Sequence, residues 1–157
     1  MQAQPQAEHH WLEKLVGNWT YESECPTGDG PPVILRGTER VRSLGGLWIV
    51  AEGEGDMPGG GTARTLLTVG YDPQKNTYVG TWVGSMMTVL WTYEGTMNAA
   101  GTELTLAAEG PSFTGEGTAQ YRDVITLVND DERTFSAFVQ GDDGEWRQMM
   151  EMRYRRA

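Results

Sequence analysis

The sequence predicts an all-β protein, an up-and-down antiparallel barrel of about ten strands with one short N-terminal helix. Three observations support this prediction. Segments in which apolar and polar residues alternate recur along the chain, as expected of strands with one buried face. Turn-forming residues separate nearly all of these segments, and 21 of the 157 residues are glycine. A long meander of this kind loses its exposed edges most easily by closing into a barrel.

The one segment with helical spacing lies near the N-terminus. We expect residues 1–6 to be a loose lead-in and residues 7–16 to form the helix. Trp11, Leu12 and Leu15 fall on one apolar stripe of that helix. Because so short a helix is only marginally stable alone, we expect the stripe to pack against the barrel and cap one end of it.

The predicted hairpin 76–95 concentrates aromatic and methionine side chains. Two strands are predicted within it, at 77–83 and 87–95, and the first of them contains Trp82. Successive residues of a strand point to opposite faces, so large side chains two residues apart share one face. The four that share a face of the second strand, and that we expect to point into the barrel, are Met87, Val89, Trp91 and Tyr93.

Eight further strands are predicted, and the last of them carries a second group of large inward residues. The side chains that share its inward face are Trp146, Gln148, Met150, Met152 and Tyr154. The pattern does not distinguish the inward face of the strand 118–128 from its outward face. The eight predicted strands span 19–25, 33–43, 47–55, 65–71, 103–109, 118–128, 133–139 and 145–155.

Composition and charge exclude several classes of function. The formal net charge of −10 argues against nucleic acid and against an anionic membrane surface as partners. The single cysteine, Cys25, allows neither an internal disulfide nor a cysteine-cluster metal site. No run approaches the roughly 18 apolar residues of a membrane span, and the N-terminus lacks the pattern of a secretory signal. We therefore expect a cytoplasmic protein without a metal or a cofactor.

Several short blocks of the sequence carry a family resemblance. They are HWL at 10–12, LVGNW at 15–19, LGGLW at 44–48, GYD at 70–72, YVGTW at 78–82, SM at 85–86 and MRYR at 152–155. Together these blocks resemble a bacterial family known as a domain of unknown function, DUF1579, over nearly the whole chain. The resemblance implies a single lipocalin-like (calycin) barrel domain over 1–157, and it implies no particular activity.

The lipocalin-like pattern also implies a position for the tryptophan of the first strand, which corresponds to Trp19. In that pattern the tryptophan packs across the closed end of the barrel, often beneath an arginine from the last strand. If the barrel closes by antiparallel pairing of 19–25 with 145–155, strict alternation turns Arg155 outward. The resemblance therefore implies that Arg155 or Arg156 curls beneath Trp19 at the strand end.

Two related barrel families bind their ligands through specific residues. Haem-binding nitrobindin-like barrels use a histidine of the barrel wall, whereas His9 and His10 both lie in the predicted helix. Fatty-acid-binding barrels hold a carboxylate with an Arg-x-Tyr pair on the last strand. Arg153 and Tyr154 are adjacent and point to opposite faces, so that pair is not reproduced. The sequence therefore implies neither haem nor this carboxylate clamp.

The predicted inward residues form the candidate ligand-binding site. They are Trp82, Met87, Val89, Trp91, Tyr93, Gln148, Met150 and Met152. Large soft side chains with a few polar tips suit an apolar or amphipathic small molecule held inside the barrel. Glu39 and Arg122 are further polar candidates inside, and we expect an inward acid and an inward arginine to pair.

Two other interpretations are open on the sequence. In the first, the protein is a small enzyme of the isomerase or hydrolase type, in which Glu39 or Glu109 acts as a base near Tyr93. In the second, side chains fill the barrel and the protein is an interaction module, with a homo-oligomer as one outcome. An accessible apolar cavity favours binding, a cavity with a perturbed carboxylate favours an enzyme, and a filled barrel favours the module.

Overall fold

Ten antiparallel strands form a closed barrel with one short helix across an end, in a computed structural model that describes residues 2–157. The helix, α1, spans Ala7–Leu12 and continues as a 3-10 turn over Glu13–Leu15. The strands are β1 (Gly17–Cys25), β2 (Val33–Leu44), β3 (Trp48–Asp56), β4 (Thr62–Asp72), β5 (Thr77–Gly84), β6 (Trp91–Met97), β7 (Glu103–Pro111), β8 (Thr118–Asn129), β9 (Glu132–Gln140) and β10 (Trp146–Arg156). Each strand pairs with its neighbours along the chain, and β1 pairs with β10. The predicted all-β, lipocalin-like up-and-down barrel is confirmed.

Closure brings the first and last strands together as predicted. β1 pairs antiparallel with β10, with Tyr21 opposite Tyr154 and Trp19 opposite Arg156. In a closed barrel, alternation sends one set of side chains from every strand towards the axis and the other set outward. The inward set of each strand is therefore fixed by the register with its neighbours.

The faces of β8, which alternation alone does not distinguish, are clear in the structure. Tyr121 and Ile125 are buried and point inward, and Asp123 between them shares their face. Arg122 points outward, where the carbon of its guanidinium lies 4.0 Å from the centroid of the Trp146 ring. Arg122 is therefore not the polar group inside the barrel that the sequence suggests.

The segment 85–90 is a link between strands and not the start of β6. β6 begins at Trp91, so the predicted strand 87–95 is wrong over its first four residues. The Met87 backbone N–H donates a 3.3 Å hydrogen bond to the carbonyl of Gly84, which turns the chain at the end of β5. The apolar alternation across this segment is therefore not strand alternation, and Met87 lies at the rim of the barrel with 42% of its surface exposed.

A β-bulge in β10 reverses side-chain alternation within that strand. Met150 lies opposite Ala137 on the inward face of β9. Gln148 lies opposite Phe138 on the outward face, because Met149 is an extra residue in β10. The prediction that Gln148 points inward is therefore wrong, since it assumed unbroken alternation along the strand.

Helix α1 covers the end of the barrel at which β1 begins. Trp11, Leu12 and Leu15 are buried in the core, which confirms the predicted capping stripe. The indole N–H of Trp11 donates a 2.7 Å hydrogen bond to the carbonyl of Gly101 in the loop between β6 and β7. No helix among residues 2–157 is long and apolar enough to cross a membrane.

His9 fixes the start of α1 to the barrel. In the neutral ring, Nδ1 accepts a 2.9 Å hydrogen bond from the backbone N–H of Gln6, so Nε2 carries the proton and donates to the carbonyl of Tyr71 at 3.0 Å. The His9 ring is buried and meets the Tyr71 ring edge-on, with 5.7 Å between the centroids. Both ring nitrogens of His9 are therefore engaged in holding the helix on the barrel.

Trp19 packs across the closed end against two guanidinium groups. The guanidinium carbon of Arg156 lies 4.3 Å from the centroid of the indole ring, and that of Arg133 lies 4.6 Å from it. The arginine expected from the strand end is therefore Arg156. Arg155 instead forms an ion pair with Glu132, with 3.8 Å between Nη2 and Oε1.

Arg156 joins the last strand to the segment before the first. Its guanidinium donates hydrogen bonds of 2.8 Å to the carbonyl of Val16 and 2.7 Å to that of Lys14. Gly17 leaves room for this contact, because a Cβ at that position would come within 2.5 Å of Arg156 Nη1. Gly17 also has a φ of +138°, a conformation that residues with a side chain rarely adopt.

Truncating α1 at its most buried position should destabilise the fold. Leu12 is 1% exposed, so Leu12→Ala should lower the free energy of unfolding by about 2–5 kcal/mol. Urea denaturation followed by circular dichroism measures this change. Lys14→Ala, on the exposed side of the same segment, is the control and should change the stability by less than about 0.5 kcal/mol. Equal stability of Leu12→Ala and the unmutated protein would contradict the capping role.

Candidate ligand-binding site in the barrel

Several inward side chains keep partial contact with solvent, which indicates accessible space inside the barrel. These partly exposed inward residues include Tyr21, Glu39, Trp82, Asp123 and Met152. In a core packed to the barrel axis, side chains at these positions would be fully buried. We call this space the lumen. The end opposite α1 is the open end of the barrel, and a cleft of about 500 Å³ lies there between the loops 26–32 and 57–61, lined by none of the five residues above.

Aromatic rings form one wall of the lumen near its open end. Trp82 of β5 lies opposite Trp91 of β6. The Trp91 ring meets the Tyr121 ring edge-on at 5.0 Å and lies directly over Gly110, where a Cβ would approach the indole to 2.2 Å. The indole N–H of Trp91 points to the sulfur of Met87 at 3.2 Å. A glycine at 110 therefore permits the large ring at 91 to lie flat against the wall.

The structure divides the sequence-predicted site residues into three groups. Trp82, Trp91, Tyr93 and Met152 lie on inward faces of strands. Met87 and Val89 lie in the link 85–90 at the rim, and Met150 lies at the rim of β10 with 39% of its surface exposed. Gln148 lies outside the barrel. The predicted set thus converges on the open half of the lumen, with Gln148 as the exception.

The most unusual polar group in the lumen is Asp123. The phenol of Tyr93 donates a short hydrogen bond to Asp123 Oδ2. Burial raises the pKa of Asp123 to about 6, although the hydrogen bond from Tyr93 opposes that rise. Burial, together with the neighbouring Asp123 charge, raises the pKa of the Tyr93 phenol well above its usual range. Tyr93 therefore stays protonated and acts as the donor, and Asp123 is ionised above about pH 6.

Sequence reasoning identified Tyr93 but missed Asp123. Both faces of β8 contain apolar and charged residues, so the alternation gave no reason to place Asp123 inside. The register of β8 does place Asp123 inside, because Asp123 lies opposite Leu106 on β7 and opposite Ala137 on β9, which are both buried. Which face of β8 points inward is therefore determined by its pairing with the neighbouring strands of the folded sheet.

A second charged cluster lies deeper in the barrel. Arg133 of β9 is 3% exposed and forms an ion pair with Glu39 of β2. The carbon of its guanidinium lies 3.9 Å from the centroid of the Tyr154 ring, while burial raises the pKa of that phenol. The expected pairing of an inward acid with an inward arginine is therefore present, with Arg133 in place of Arg122. Because the two charges neutralise each other, this cluster is a structural element of the core.

The structure places Glu109 outside the barrel. Its carboxylate is exposed and accepts hydrogen bonds from Thr118 at 2.8 Å and from Gln120 at 3.2 Å. The base suggested for an enzyme therefore cannot be Glu109, and Glu39 is engaged by Arg133. Among the inward carboxylates of residues 2–157, Asp123 is the one that has no ion-pair partner.

Asp123 should couple the stability of the fold to pH. Its pKa is raised from the ordinary 3.8 to about 6, so the folded chain holds this proton more tightly than the unfolded chain does. The stability that it contributes is complete below about pH 4 and is lost as the pH rises through about 6. At 1.36 kcal/mol per pKa unit, the loss is about 3 kcal/mol.

Asp123→Asn tests this coupling, because it keeps the shape of the side chain and removes the titration. Between about pH 4 and about pH 8, the unfolding free energy of the variant should rise by about 3 kcal/mol relative to the unmutated protein. Urea denaturation across this pH range measures the difference. Glu109→Gln removes an exterior carboxylate and should show no comparable change. A difference that stays constant with pH for Asp123→Asn would contradict a buried, unpaired carboxyl group.

The fold relates the chain to known structures at low sequence identity. One is the S-type phycobiliprotein lyase CPES from Guillardia theta, with 12% identity, 98% coverage of each chain and a TM-score of 0.58. Another is EF1p2_mFAP2b bound to DFHBI, with 12% identity, coverage of 96% of this chain and 100% of that chain, and a TM-score of 0.50. At such identity these similarities show the fold alone. No curated protein matches the chain.

A family assignment covers almost the full length of the chain. The family described as protein of unknown function (DUF1579) matches residues 4–156. The matched region includes α1 and all of the strands described above, from β1 to β10. It also contains every sequence block on which the resemblance was based. The chain therefore belongs to the DUF1579 family of proteins of unknown function.

Proposed function

We propose that this protein binds an apolar or amphipathic small molecule inside the barrel. The observation that carries the proposal is the partial exposure of large inward side chains in a barrel that α1 covers at one end. Trp82, Trp91 and Met152 all keep contact with solvent although they point inward. A concave, mostly apolar space with a few polar groups is the usual form of a small-molecule site.

Each class of side chain in the lumen has a role in this proposal. Trp82 and Trp91 supply flat apolar surface for the body of the ligand. Met87, Met150 and Met152 have flexible thioether chains that adapt to an irregular shape, and Val89 adds apolar surface at the rim. Tyr93 and Asp123 supply polar atoms that can orient the ligand among the apolar walls.

Structures of the same fold support the proposal by precedent. EF1p2_mFAP2b was determined bound to DFHBI, so a barrel of this fold can hold a small molecule. CPES is a phycobiliprotein lyase, so the fold also occurs in a protein that is named for an enzymatic activity. At 12% identity neither one identifies the ligand of this chain, which depends on its own side chains.

A second candidate function, a small enzyme of the isomerase or hydrolase type, is favoured by one observation. Asp123 combines a pKa of about 6 with a hydrogen bond from Tyr93 and a position in the lumen. A carboxylate with a pKa near the working pH is suited to proton transfer. Binding remains the main proposal, because the inward carboxylate of Glu39 is already paired with Arg133 and is not free to act as a second acid–base group.

The proposal takes the whole chain as one ligand-binding domain in the cytoplasm, as the sequence suggests. It needs no second copy of the chain, because the lumen side chains all come from one barrel. A homo-oligomer is compatible with it as long as the open end stays free. Phe113, which is 77% exposed in the loop 112–117, is the side chain that an oligomer at this end would cover.

A neutral fluorescent probe tests the proposed function. N-phenyl-1-naphthylamine should bind to the folded protein with a micromolar dissociation constant, equivalent to about 8 kcal/mol, and should quench indole emission. Trp91→Ala should weaken binding strongly, because it removes an inward aromatic wall. Thr92→Ala is the matched control, since Thr92 is exposed on the outward face one residue away.

Two results of this titration would contradict the proposal. If the probe does not bind to folded protein, or if both variants lose it equally, the lumen is not a binding site. In that case the partial exposure of the inward residues reflects loose packing of the core. Circular dichroism of both variants establishes that any loss of binding is not a loss of folding.

A further inference from the structure

We infer that the ligand of this barrel carries a positively charged group and that Asp123 binds it. This inference rests on the proposed function, since it names the chemical class of the ligand for the same lumen. It depends on two independent observations. One is the state of the Asp123 carboxylate among the charges inside the barrel, and the other is the composition of the loops that surround the open end.

The first observation concerns the charges that point into the barrel. Arg133 is paired with Glu39, and Arg156 is held at the closed end by the carbonyls of Val16 and Lys14. Neither guanidinium forms an ion pair with Asp123. The interior of the barrel therefore contains one carboxylate without a cation, at least within residues 2–157.

The geometry of Asp123 leaves one of its oxygens free. Tyr93 donates to Oδ2, and Oδ1 has no hydrogen-bond partner among residues 2–157. In the same part of the chain, the one completely buried side-chain polar atom without a partner is Arg133 Nε. Oδ1, which also lacks a partner, must therefore face accessible space, which is the lumen. A cationic donor placed there would meet an acceptor that the protein itself leaves unsatisfied.

The surroundings of Asp123 increase the value of such a contact. Its cross-strand neighbours, Leu106 and Ala137, are apolar and buried, so they offer no polar group to the carboxylate. A buried ionised group without a partner is costly, and a cation on the ligand would offset that cost. The indole faces of Trp82 and Trp91 can contribute further attraction for a cation.

The second observation concerns the loops at the open end. They span 26–32, 57–61, 85–90, 112–117 and 141–145. These loops contain no lysine or arginine. Their acidic residues are Asp29, Glu116, Asp142, Asp143 and Glu145. Three of the five loops are therefore negatively charged and the other two, 57–61 and 85–90, carry no charge, in a chain of net charge −10.

The cations nearest to this rim do not reverse its sign. Arg147 forms an ion pair with Asp143, at 2.6 Å. Arg36 and Arg64 lie on the outward faces of β2 and β4, and Arg36 is paired with Glu22. A negative entrance attracts cations and repels anions before they reach the lumen. Both observations thus favour an amphipathic cation, such as a protonated amine on an apolar body, over a fatty acid.

Competition among three matched ligands tests this inference. Decylamine, decanol and decanoate have the same apolar chain and differ in charge. Each is titrated against protein loaded with N-phenyl-1-naphthylamine at about pH 8, where the amine is protonated and Asp123, with a pKa of about 6, is ionised. Decylamine should displace half of the probe at a concentration about tenfold lower than decanol does. Decanoate should be the weakest of the three.

One variant, a second pH and a control identify the group responsible. Asp123→Asn should reduce the advantage of decylamine over decanol to within about twofold. If Asp123→Asn fails to fold, the titration of the unmutated protein at about pH 5 serves, because Asp123, with a pKa of about 6, is then mostly protonated and the advantage of decylamine should shrink. Glu109→Gln removes a negative charge outside the barrel and should leave the order of the three ligands unchanged.

The outcomes separate this inference from the proposed function. If the probe does not bind to the unmutated protein, the proposed function fails and this inference fails with it. If the probe binds but decanoate competes best, or all three ligands compete equally, the inference is overturned while the proposed function stands. Retention of the decylamine advantage in folded Asp123→Asn would overturn the role of Asp123.

Discussion

The packing of Trp19 against two arginines is the interaction on which the rest of the barrel depends. Arg156 contacts Trp19 from the last strand and also bonds to the chain before the first strand, so it holds the closing strands together. The indole N–H of Trp19 donates to the carbonyl of Leu15, which links the same cluster to the capping segment. Arg133 contacts Trp19 from inside and is neutralised by Glu39. The interior arginine is thereby used in closure, and it is not available to Asp123.

This arrangement divides the barrel into a packed half and an accessible half. Near α1, aromatic and aliphatic side chains fill the space and form the main core. Towards the open end, inward residues keep solvent contact and the loops lack basic residues. An unpaired carboxyl group in such a lumen weakens the fold at neutral pH, and positions of this kind are typical of binding or catalytic sites. The proposed ligand class follows from this division. Arg133 and Arg156 are engaged at the closed end, so a cation on the ligand would be the positive partner of Asp123.

The overall fold could be predicted from the sequence because its signals are local. Alternation, turn residues and one amphipathic stripe are each readable within a few residues, and together they specify a meander with a helical cap. The site could be predicted only in part. A single extra residue, Met149, moves Gln148 outside without any signal in the alternation. The placement of Asp123 depends on register with β7 and β9, and neither face of β8 is apolar enough to decide it.

The central claim is that a small molecule enters the lumen from the open end, and methionine methyl groups are natural reporters of its position. Protein labelled with ¹³C at the methionine methyl groups is titrated with N-phenyl-1-naphthylamine and followed by NMR. Met150 at the rim and Met152 in the lumen should shift together along one saturation curve. Met97, on the inward face at the closed end, should not shift. Saturable shifts at Met97, shifts confined to Met57 in the loop 57–61, or no saturable shift would contradict the account.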